Sequence, residues 1–259
     1  MARVLKSIVL GGLALAALPA VAMAADIPPP PVYYTPPPPV EVPTNWYFRL
    51  DVGVKDYRPP SITFDAPTLG YSVPGAGEFI NEDISTTGVI GFGIGRDFGA
   101  FRADVTLDYE WPGRIEGRLY CVGCPNDPVD QYSWEFADLS VWSLLFNGYI
   151  DFGSRGGPIT PYIGAGIGVA TLRTSNVTFE NPNGTTGEWE GMRTWNLAWA
   201  LMAGASFEVT QRLSLDVNYR FVHLGTAMAM TTLDGGTPIV YSNISAHEFR
   251  VGFRVGIGR

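Results

Sequence analysis

Eight stretches of this chain alternate polar and apolar residues with a period of two, and this pattern constrains the fold more than any other feature. In the stretch FRADVTLDYEW, residues 101–111, polar side chains occupy every second position and apolar side chains occupy the positions between them. Successive side chains of a β-strand point to opposite faces of the sheet. Each stretch therefore has one apolar and one polar face, and the fold depends on which face lies inside.

The alternating stretches are long, and their connections fall into two classes. We predict strands at residues 46–57, 87–98, 101–111, 139–152, 161–170, 194–209, 213–224 and 246–259. These strands are longer than the usual five or six residues and approach the length that a tilted bilayer crossing requires. The second, fourth and sixth strands are followed by short turns, whereas the other connections are long and rich in Gly, Pro, Asn, Asp and Thr.

The apolar face is predicted to point outward, into lipid. An exported soluble barrel of the lipocalin type is the competing fold, but its interior should be mostly apolar, and the polar face here carries many acids and bases. Aromatic residues near the ends of the apolar faces are typical of interfacial girdles, and the long connections all fall at one end. We therefore predict an all-β fold, an eight-stranded antiparallel up-and-down transmembrane β-barrel with short periplasmic turns and long external loops. The predicted aromatic girdle comprises Trp46, Phe101, Trp111, Trp142, Phe152, Trp195, Phe207, Tyr219 and Phe253.

The beginning of the chain predicts export. Residues 1–24 combine two basic residues, an apolar run and the triplet AMA, as a secretory signal peptide does. Nine of the seventeen residues in 27–43 are proline, so residues 25–44 are predicted to form a proline-rich periplasmic spacer in polyproline II conformation. The outer-membrane barrel domain then spans residues 45–259. With 17 basic and 25 acidic residues, the chain is not expected to bind nucleic acid.

The polar face predicts a charge network inside the barrel. Eight strands leave an interior only just wide enough for side chains, so buried charges should pair. Because the first strand faces the fifth across such a ring, we expect the glycines of the fifth strand to make room for Arg49 and Lys55. Arg220 should reach Asp104, Asp108 or Glu110. The predicted network comprises Arg49, Asp51, Lys55, Arg102, Asp104, Asp108, Glu110, Asp151, Asp216, Arg220, Glu248, Arg250 and Arg254.

Two interpretations of this network remain open. It is either a polar core that fills the lumen, or a narrow, gated, water-filled path that its acidic excess biases toward cations.

Cys121 and Cys124 form a lone CVGC motif in the second long connection. In an oxidising compartment we favour a local disulfide between them. A thioredoxin-like redox pair would need a surrounding βαβ unit, and zinc would need two more ligands at suitable spacing. We therefore predict a disulfide, no metal site and no cofactor.

Taken in order along the chain, these features resemble a known family. The signal peptide, the proline-rich start, PYIGAGIGVA in the fifth strand, LSLDVNYRF in the seventh and HEFRVGFRVGIG near the end are similar to the small outer-membrane β-barrel proteins of Gram-negative bacteria. These are the OmpA-like and OmpX-like barrels and the opacity-type, porin-family surface antigens, and the resemblance covers residues 44–259. It implies a bacterial outer-membrane location with both termini in the periplasm. It also implies outer-membrane lipid, lipopolysaccharide and the outer-membrane assembly machinery as partners.

One departure from the family concerns the end of the chain, which reads GIGR where members usually have an aromatic residue. In the family, that aromatic residue resembles an assembly signal.

Three functions are compatible with these residues and with the resemblance. A structural role in the envelope, with limited porin-like diffusion of small solutes, is the first. The alternative is a surface antigen, adhesin or haem-type ligand binder, which would recognise an external ligand through its loops. The loop aromatics that would serve this role are Tyr71, Phe79, Tyr132, Trp134, Phe136 and Trp189. A lipid-modifying enzyme at the membrane rim, using Ser245 and His247 on a shared lipid-side face, is a remote third, and we predict that the protein is not an enzyme.

Overall fold

The computed structural model describes residues 45–64, 79–120, 132–153, 158–230 and 238–257. Several predictions lie outside these residues, among them the signal peptide of residues 1–24, the spacer of residues 25–44 and the disulfide of Cys121 and Cys124. In the described part, no helix is long and apolar enough to cross a membrane. The strands are β1 (Asn45–Tyr57), β2 (Ser61–Phe64), β3 (Phe79–Ile84), β4 (Thr87–Asp97), β5 (Phe101–Tyr120), β6 (Tyr132–Asp151), β7 (Ile159–Thr174), β8 (Val177–Glu180), β9 (Thr186–Gly191), β10 (Arg193–Glu208), β11 (Leu213–Met230) and β12 (Pro238–Ile257).

Eight of these strands close into a ring. Antiparallel pairing runs from β1 through β4, β5, β6, β7, β10, β11 and β12, and β12 then pairs with β1. Closure leaves the ring without an unpaired strand edge, as a sheet in lipid requires. The predicted eight-stranded antiparallel barrel is therefore confirmed.

The two ends of the barrel differ. At one end, which we call the turn end, the chain segments that join β4 to β5, β6 to β7 and β10 to β11 are short. Gly99 makes the first of these turns at φ 102, a backbone conformation that glycine adopts without steric cost. At the opposite end, the loop end, the four short strands extend the ring: β2 pairs with β12, β3 with β5, β8 with β6, and β9 with both β8 and β11.

The apolar face of the ring points outward. Phe48 and Leu197 are 55% and 66% exposed, whereas Lys55 and Asp108 are fully buried in the lumen. A soluble barrel would have the reverse arrangement, because burial of apolar surface drives its folding. The outward direction predicted for the apolar face is confirmed.

Four strands continue well beyond their predicted ends at the loop end. β5, β6 and β12 have 20 residues each. The sequence pattern predicts that β5 ends at residue 111, that β6 begins at residue 139 and that β12 begins at residue 246. The fourth, β11, has 18 residues. We call the part of the barrel formed by residues 113–120, 132–140, 225–230 and 238–244 with β2, β3, β8 and β9 the loop-end extension.

The polarity of β5 inverts where this extension begins. A register shift between Glu110 and Gly113 places a bulge in β5, next to Pro112. Beyond it the inward side chains are apolar, as at Ile115 and Leu119, and Arg114 is exposed. Within the extension β5 therefore has an apolar inner face and a polar outer face, as a strand in water does. The outer faces of β11 and β12 remain apolar at Met228, Met230 and Val240. The sequence prediction assigned this region to loops because the bulge interrupts the alternation.

Candidate functional site

The lumen near the turn end contains a network of paired charges. Arg49 Nη1 lies 3.1 Å from Asp104 Oδ2, and Arg49 Nη2 lies 3.0 Å from Asp51 Oδ2. Arg102 donates two hydrogen bonds to the Asp151 carboxylate, from Nε at 2.6 Å and from Nη2 at 2.8 Å. This two-point arrangement fixes both side chains, since the planar guanidinium matches the carboxylate.

The centre of the network is organised by Arg250. Its Nη1 lies 2.7 Å from both Asp51 Oδ1 and Asp108 Oδ1, and its Nε donates to Glu248 Oε2 at 2.7 Å. Arg220 Nη1 lies 2.8 Å from Asp108 Oδ2, so it reaches one of the three acids expected for it.

The remaining pairs complete the network. Lys55 Nζ lies 2.5 Å from Glu110 Oε1 and 3.1 Å from Glu248 Oε1. Arg254 Nε lies 3.3 Å from Asp216 Oδ2. Each of the thirteen charged residues predicted for the lumen takes part in at least one of these ion pairs. An unpaired charge buried in the lumen would destabilise the barrel, and these ion pairs avoid that cost.

The expectation that the fifth long strand, β7, makes room for Arg49 and Lys55 is wrong. A Cβ on Gly93 of β4 would lie 2.7 Å from Arg49 Cγ, so the space for Arg49 comes from the adjacent strand. Gly164 of β7 instead makes room for Tyr149, whose hydroxyl accepts a hydrogen bond from Arg49 Nη1 at 2.7 Å. The physical reason is that Arg49 and Lys55 turn toward nearby carboxylates rather than stretch across the lumen.

Much of the remaining interior is aliphatic, which the alternation pattern did not predict, although polar residues such as Thr106, Asn147 and Asn218 are also buried there. The inward faces of β6, β7, β10 and β11 are filled by side chains that share full burial and an aliphatic character: Val141, Leu145, Ala170, Leu172, Ala198, Ala200, Val222 and Leu224. This apolar packing continues into the loop-end extension through Ile84, Leu139, Ile239 and Ile244. Charged, uncharged polar and aliphatic groups together fill the ring, so the first interpretation of the network, a packed core, fits this geometry.

The predicted girdle residues lie mostly at two levels of the outward face. Trp46 and Phe152 lie near the turn end. Trp142 of β6 and Trp195 of β10 flank Thr171 of β7 at the start of the loop-end extension. Phe253 is an exception, because it pairs with Leu50 rather than with residues at either edge. Phe101, Trp111 and Tyr219 are also exposed, and Phe207 is half-buried.

The outward face of the loop-end extension carries arginines packed on aromatic rings. The guanidinium of Arg118 lies 4.6 Å from the centroid of the Trp134 ring, and that of Arg114 lies 4.4 Å from the Phe136 ring. Trp134 is 45% exposed. Exposed aromatic and arginine side chains of this kind are enriched at binding surfaces.

Two of the loop aromatics predicted to bind ligand are instead part of the interior. Phe79 and Trp189 are buried in the extension, and Trp189 packs on Phe64 at 5.9 Å and on Phe179 at 5.3 Å between ring centroids. They are buried because β3 and β9 turn these side chains inward. The sequence pattern assigned both segments to loops, so it could not predict this orientation. Tyr71 lies outside the described residues, and Tyr132 is half-buried.

The extension also contains a buried acid that sequence reasoning missed. Glu135 points inward from β6 and is only 4% exposed. Burial raises the pKa of its carboxyl group from 4.5 to about 8. Continued alternation through SWEFADLS, residues 133–140, is the signal that could have found it, since Ser133, Glu135, Ala137 and Leu139 share one face.

Ser245 and His247 lie on the same side of β12, because the β11–β12 register is unbroken from the His223–Ser245 pair to the Phe221–His247 pair. Ser245 is buried, whereas the half-buried His247 packs among outward-facing aromatics. The nearest hydrogen-bond partner of His247 Nδ1 is the Tyr219 hydroxyl, at 2.6 Å. Among the described residues, no group of three or more His, Cys, Asp or Glu side chains is arranged to hold a metal ion.

Comparisons with known proteins place these features in context. Residues 13–255 match the family described as "Outer membrane protein beta-barrel domain". An uncharacterized protein of Brucella suis is 33% identical over 204 residues, which cover 69% of this chain and 68% of that protein. A candidate adhesin of Rickettsia bellii is 27% identical over 188 residues, covering 70% of this chain and 73% of the relative. The crystal structure of the outer membrane protein OprG from Pseudomonas aeruginosa is similar with a TM-score of 0.49, at 13% identity over 82% of this chain and 96% of OprG.

Proposed function

Because the chain belongs to the outer-membrane protein β-barrel family, we propose that its barrel is a closed membrane anchor and that its loop-end extension is a surface-exposed binding element of the adhesin type. The protein is located in the bacterial outer membrane. The observation that carries the proposal is the inversion of polarity in β5 at Glu110–Gly113, beyond which β5 turns Ile115 and Leu119 inward and presents Arg114 and Glu116 at its exposed face.

The filled interior supports the anchor role. A solute path needs a continuous polar or water-filled lumen. Here Arg250 and Arg220 fill the centre with ion-paired side chains, and Val141, Leu172 and Leu224 pack the adjoining interior with aliphatic groups. This arrangement favours structure over porin-like diffusion.

The size of the extension supports the binding role. Along β6, Tyr132 lies ten residues beyond Trp142 of the girdle, which corresponds to roughly 33 Å of strand. An anchor alone would not need ordered strands of this length outside lipid. The similarity to a candidate adhesin of Rickettsia bellii is consistent with a binding role on the cell surface.

The proposal includes an orientation. In outer-membrane barrels the short turns face the periplasm and the long connections face outward. We assign the turn end to the periplasm, together with both termini and the spacer of residues 25–44, after removal of residues 1–24 as a signal peptide. Outer-leaflet lipid and lipopolysaccharide then surround the apolar face, and the outer-membrane assembly machinery is the partner that inserts the barrel.

Adhesion of bacteria that display the full chain tests the binding role. Replacing residues 114–138 by an Asn-Gly turn removes the tip of the β5–β6 hairpin and keeps the girdle, because Gly113 and Leu139 are already paired. We expect display of the intact protein to increase attachment to epithelial monolayers over cells without it, and the shortened barrel to lose that increase. Retained heat-modifiable gel mobility would show that the shortened barrel is folded. Equal attachment by the folded shortened barrel would overturn the proposal.

A further inference from the structure

The carboxyl group of Glu135 lies inside the apolar core of the loop-end extension. Its neighbour on β6, Trp134, is 45% exposed, whereas Glu135 is 4% exposed. The Ser133 hydroxyl donates a hydrogen bond to Glu135 Oε1 at 2.6 Å. Glu135 Oε2 is buried and has no hydrogen-bond partner among the described residues. A buried acceptor of this kind is costly, and much more so when it is charged.

The surroundings of this carboxyl group come from several separate strands. A narrow cavity with no room for a water molecule lies beside it. The lining includes Ile62 of β2, Phe79 of β3, Ile115 of β5, Val177 of β8 and Tyr241 of β12. Glu135 therefore lies where the short strands β2, β3 and β8 pack onto the long strands.

In the described part of this core, no cation compensates the carboxylate. The groups that β2, β3, β5 and β8 present to the cavity are apolar, Ser133 is the polar neighbour on β6, and Tyr241 is the titratable group that faces it from β12. The arginines of the extension, Arg114 and Arg118, pack on aromatic rings of the outward face. Burial and then the nearby charge of Glu135 raise the pKa of Tyr241. Tyr241 is therefore a neutral phenol, and it brings no positive charge that could balance a carboxylate.

We propose that Glu135 is a proton-operated switch: its protonated carboxyl group holds the loop-end extension closed, and loss of that proton lets β2, β3 and β8 separate from the core and admit water. The switch acts on the same extension to which the proposed function assigns a binding role. An effect of the switch on adhesion therefore rests on that proposed function. Opening of the extension rests on the packing around Glu135 alone.

The direction of the pH effect follows from linkage between proton binding and opening. In the closed form the pKa of Glu135 is about 8, and in a water-filled open form it returns toward 4.5. Between these values the closed form binds one proton more than the open form, so closure weakens as pH rises through this window and stays at its weakest above about 8. Opening should become about tenfold easier for each pH unit within the window.

Hydrogen exchange of the full protein in phospholipid vesicles measures this opening directly. After correction for the pH dependence of intrinsic exchange, we expect protection of backbone amides at residues 115–119 and 135–139 to fall at least about tenfold between pH 5.5 and 7.5. Glu135→Gln keeps the size and hydrogen bonding of the side chain but cannot ionise, so its protection should be independent of pH. Glu116→Gln, on the exposed face of β5, should behave as the wild type.

A second measurement keeps the test independent of how the variant folds. The carboxyl ¹³C resonance of Glu135 in the wild-type protein should titrate with a midpoint of about 8. A midpoint below about 6, or equal pH dependence of protection in the wild type and in folded Glu135→Gln, would overturn the switch. A protein that opens as expected but does not promote adhesion would refute the proposed function and leave the switch intact.

Discussion

At the scale of single residues, Arg250 is the side chain on which most of the lumen depends. It is fully buried and forms ion pairs with Asp51, Asp108 and Glu248. Removing one partner from a buried charge network leaves uncompensated charge, which is far more destabilising than losing an exposed pair. Replacing Arg250 should therefore lower the free energy of unfolding far more than replacing Arg114, although both arginines form ion pairs.

We predict that Arg250→Met lowers the free energy of unfolding by about 3–5 kcal/mol. The matched change, Arg114→Met, removes the exposed pair with Glu116, whose side chains are 54% and 48% exposed, and should cost less than about 1 kcal/mol. Urea unfolding of both variants in phospholipid vesicles provides the comparison. Similar losses in the two variants would mean that the lumen pairs contribute little to stability.

At the scale of elements, β6 runs from the part of the barrel that faces lipid into the loop-end extension, which faces water. Leu144 and Trp134 lie on the same strand and are 46% and 45% exposed, yet Leu144 belongs to the outward apolar face and Trp134 to the loop-end extension. Equal exposure therefore means contact with lipid at one position and contact with water at the other.

A charge introduced at each position separates the two environments. Leu144→Arg should lower the unfolding free energy in vesicles by about 2–4 kcal/mol, because arginine is costly on the lipid face, whereas Trp134→Arg should cost about 0–1 kcal/mol for its charge. The measurement is again reversible urea unfolding, with Leu144→Ala and Trp134→Ala correcting for lost side-chain contacts. Equal costs would place the membrane boundary elsewhere on β6.

The elements also show what the sequence could and could not predict. Period-two alternation identified the eight long strands and the lipid-facing side, since lipid selects one apolar face on each strand. It missed the extensions because Pro112 and the adjoining bulge change both the phase and the polarity of β5. It also missed Glu135, whose burial depends on β2, β3 and β8 packing over it.

At the scale of the whole molecule, the barrel combines two interiors. The charged residues of the lumen could be predicted one by one, because each inward charge lies on an alternating strand, whereas the aliphatic part of the interior could not. Which charges meet could be predicted only in part: Arg220 reaches Asp108 as expected, but Arg49 turns to Asp104 through space that Gly93 provides. Such choices depend on barrel tilt and side-chain length, which the pattern does not encode.

Conductance of the purified, heat-modifiable barrel in planar lipid bilayers tests the central claim most directly, namely that the barrel is a closed anchor. Because ion-paired and aliphatic side chains fill the lumen, we predict no stable current steps at any applied voltage that the bilayer withstands. Steady cation-selective steps that disappear in Asp104→Asn and Asp108→Asn variants would contradict the account and identify the lumen as a channel.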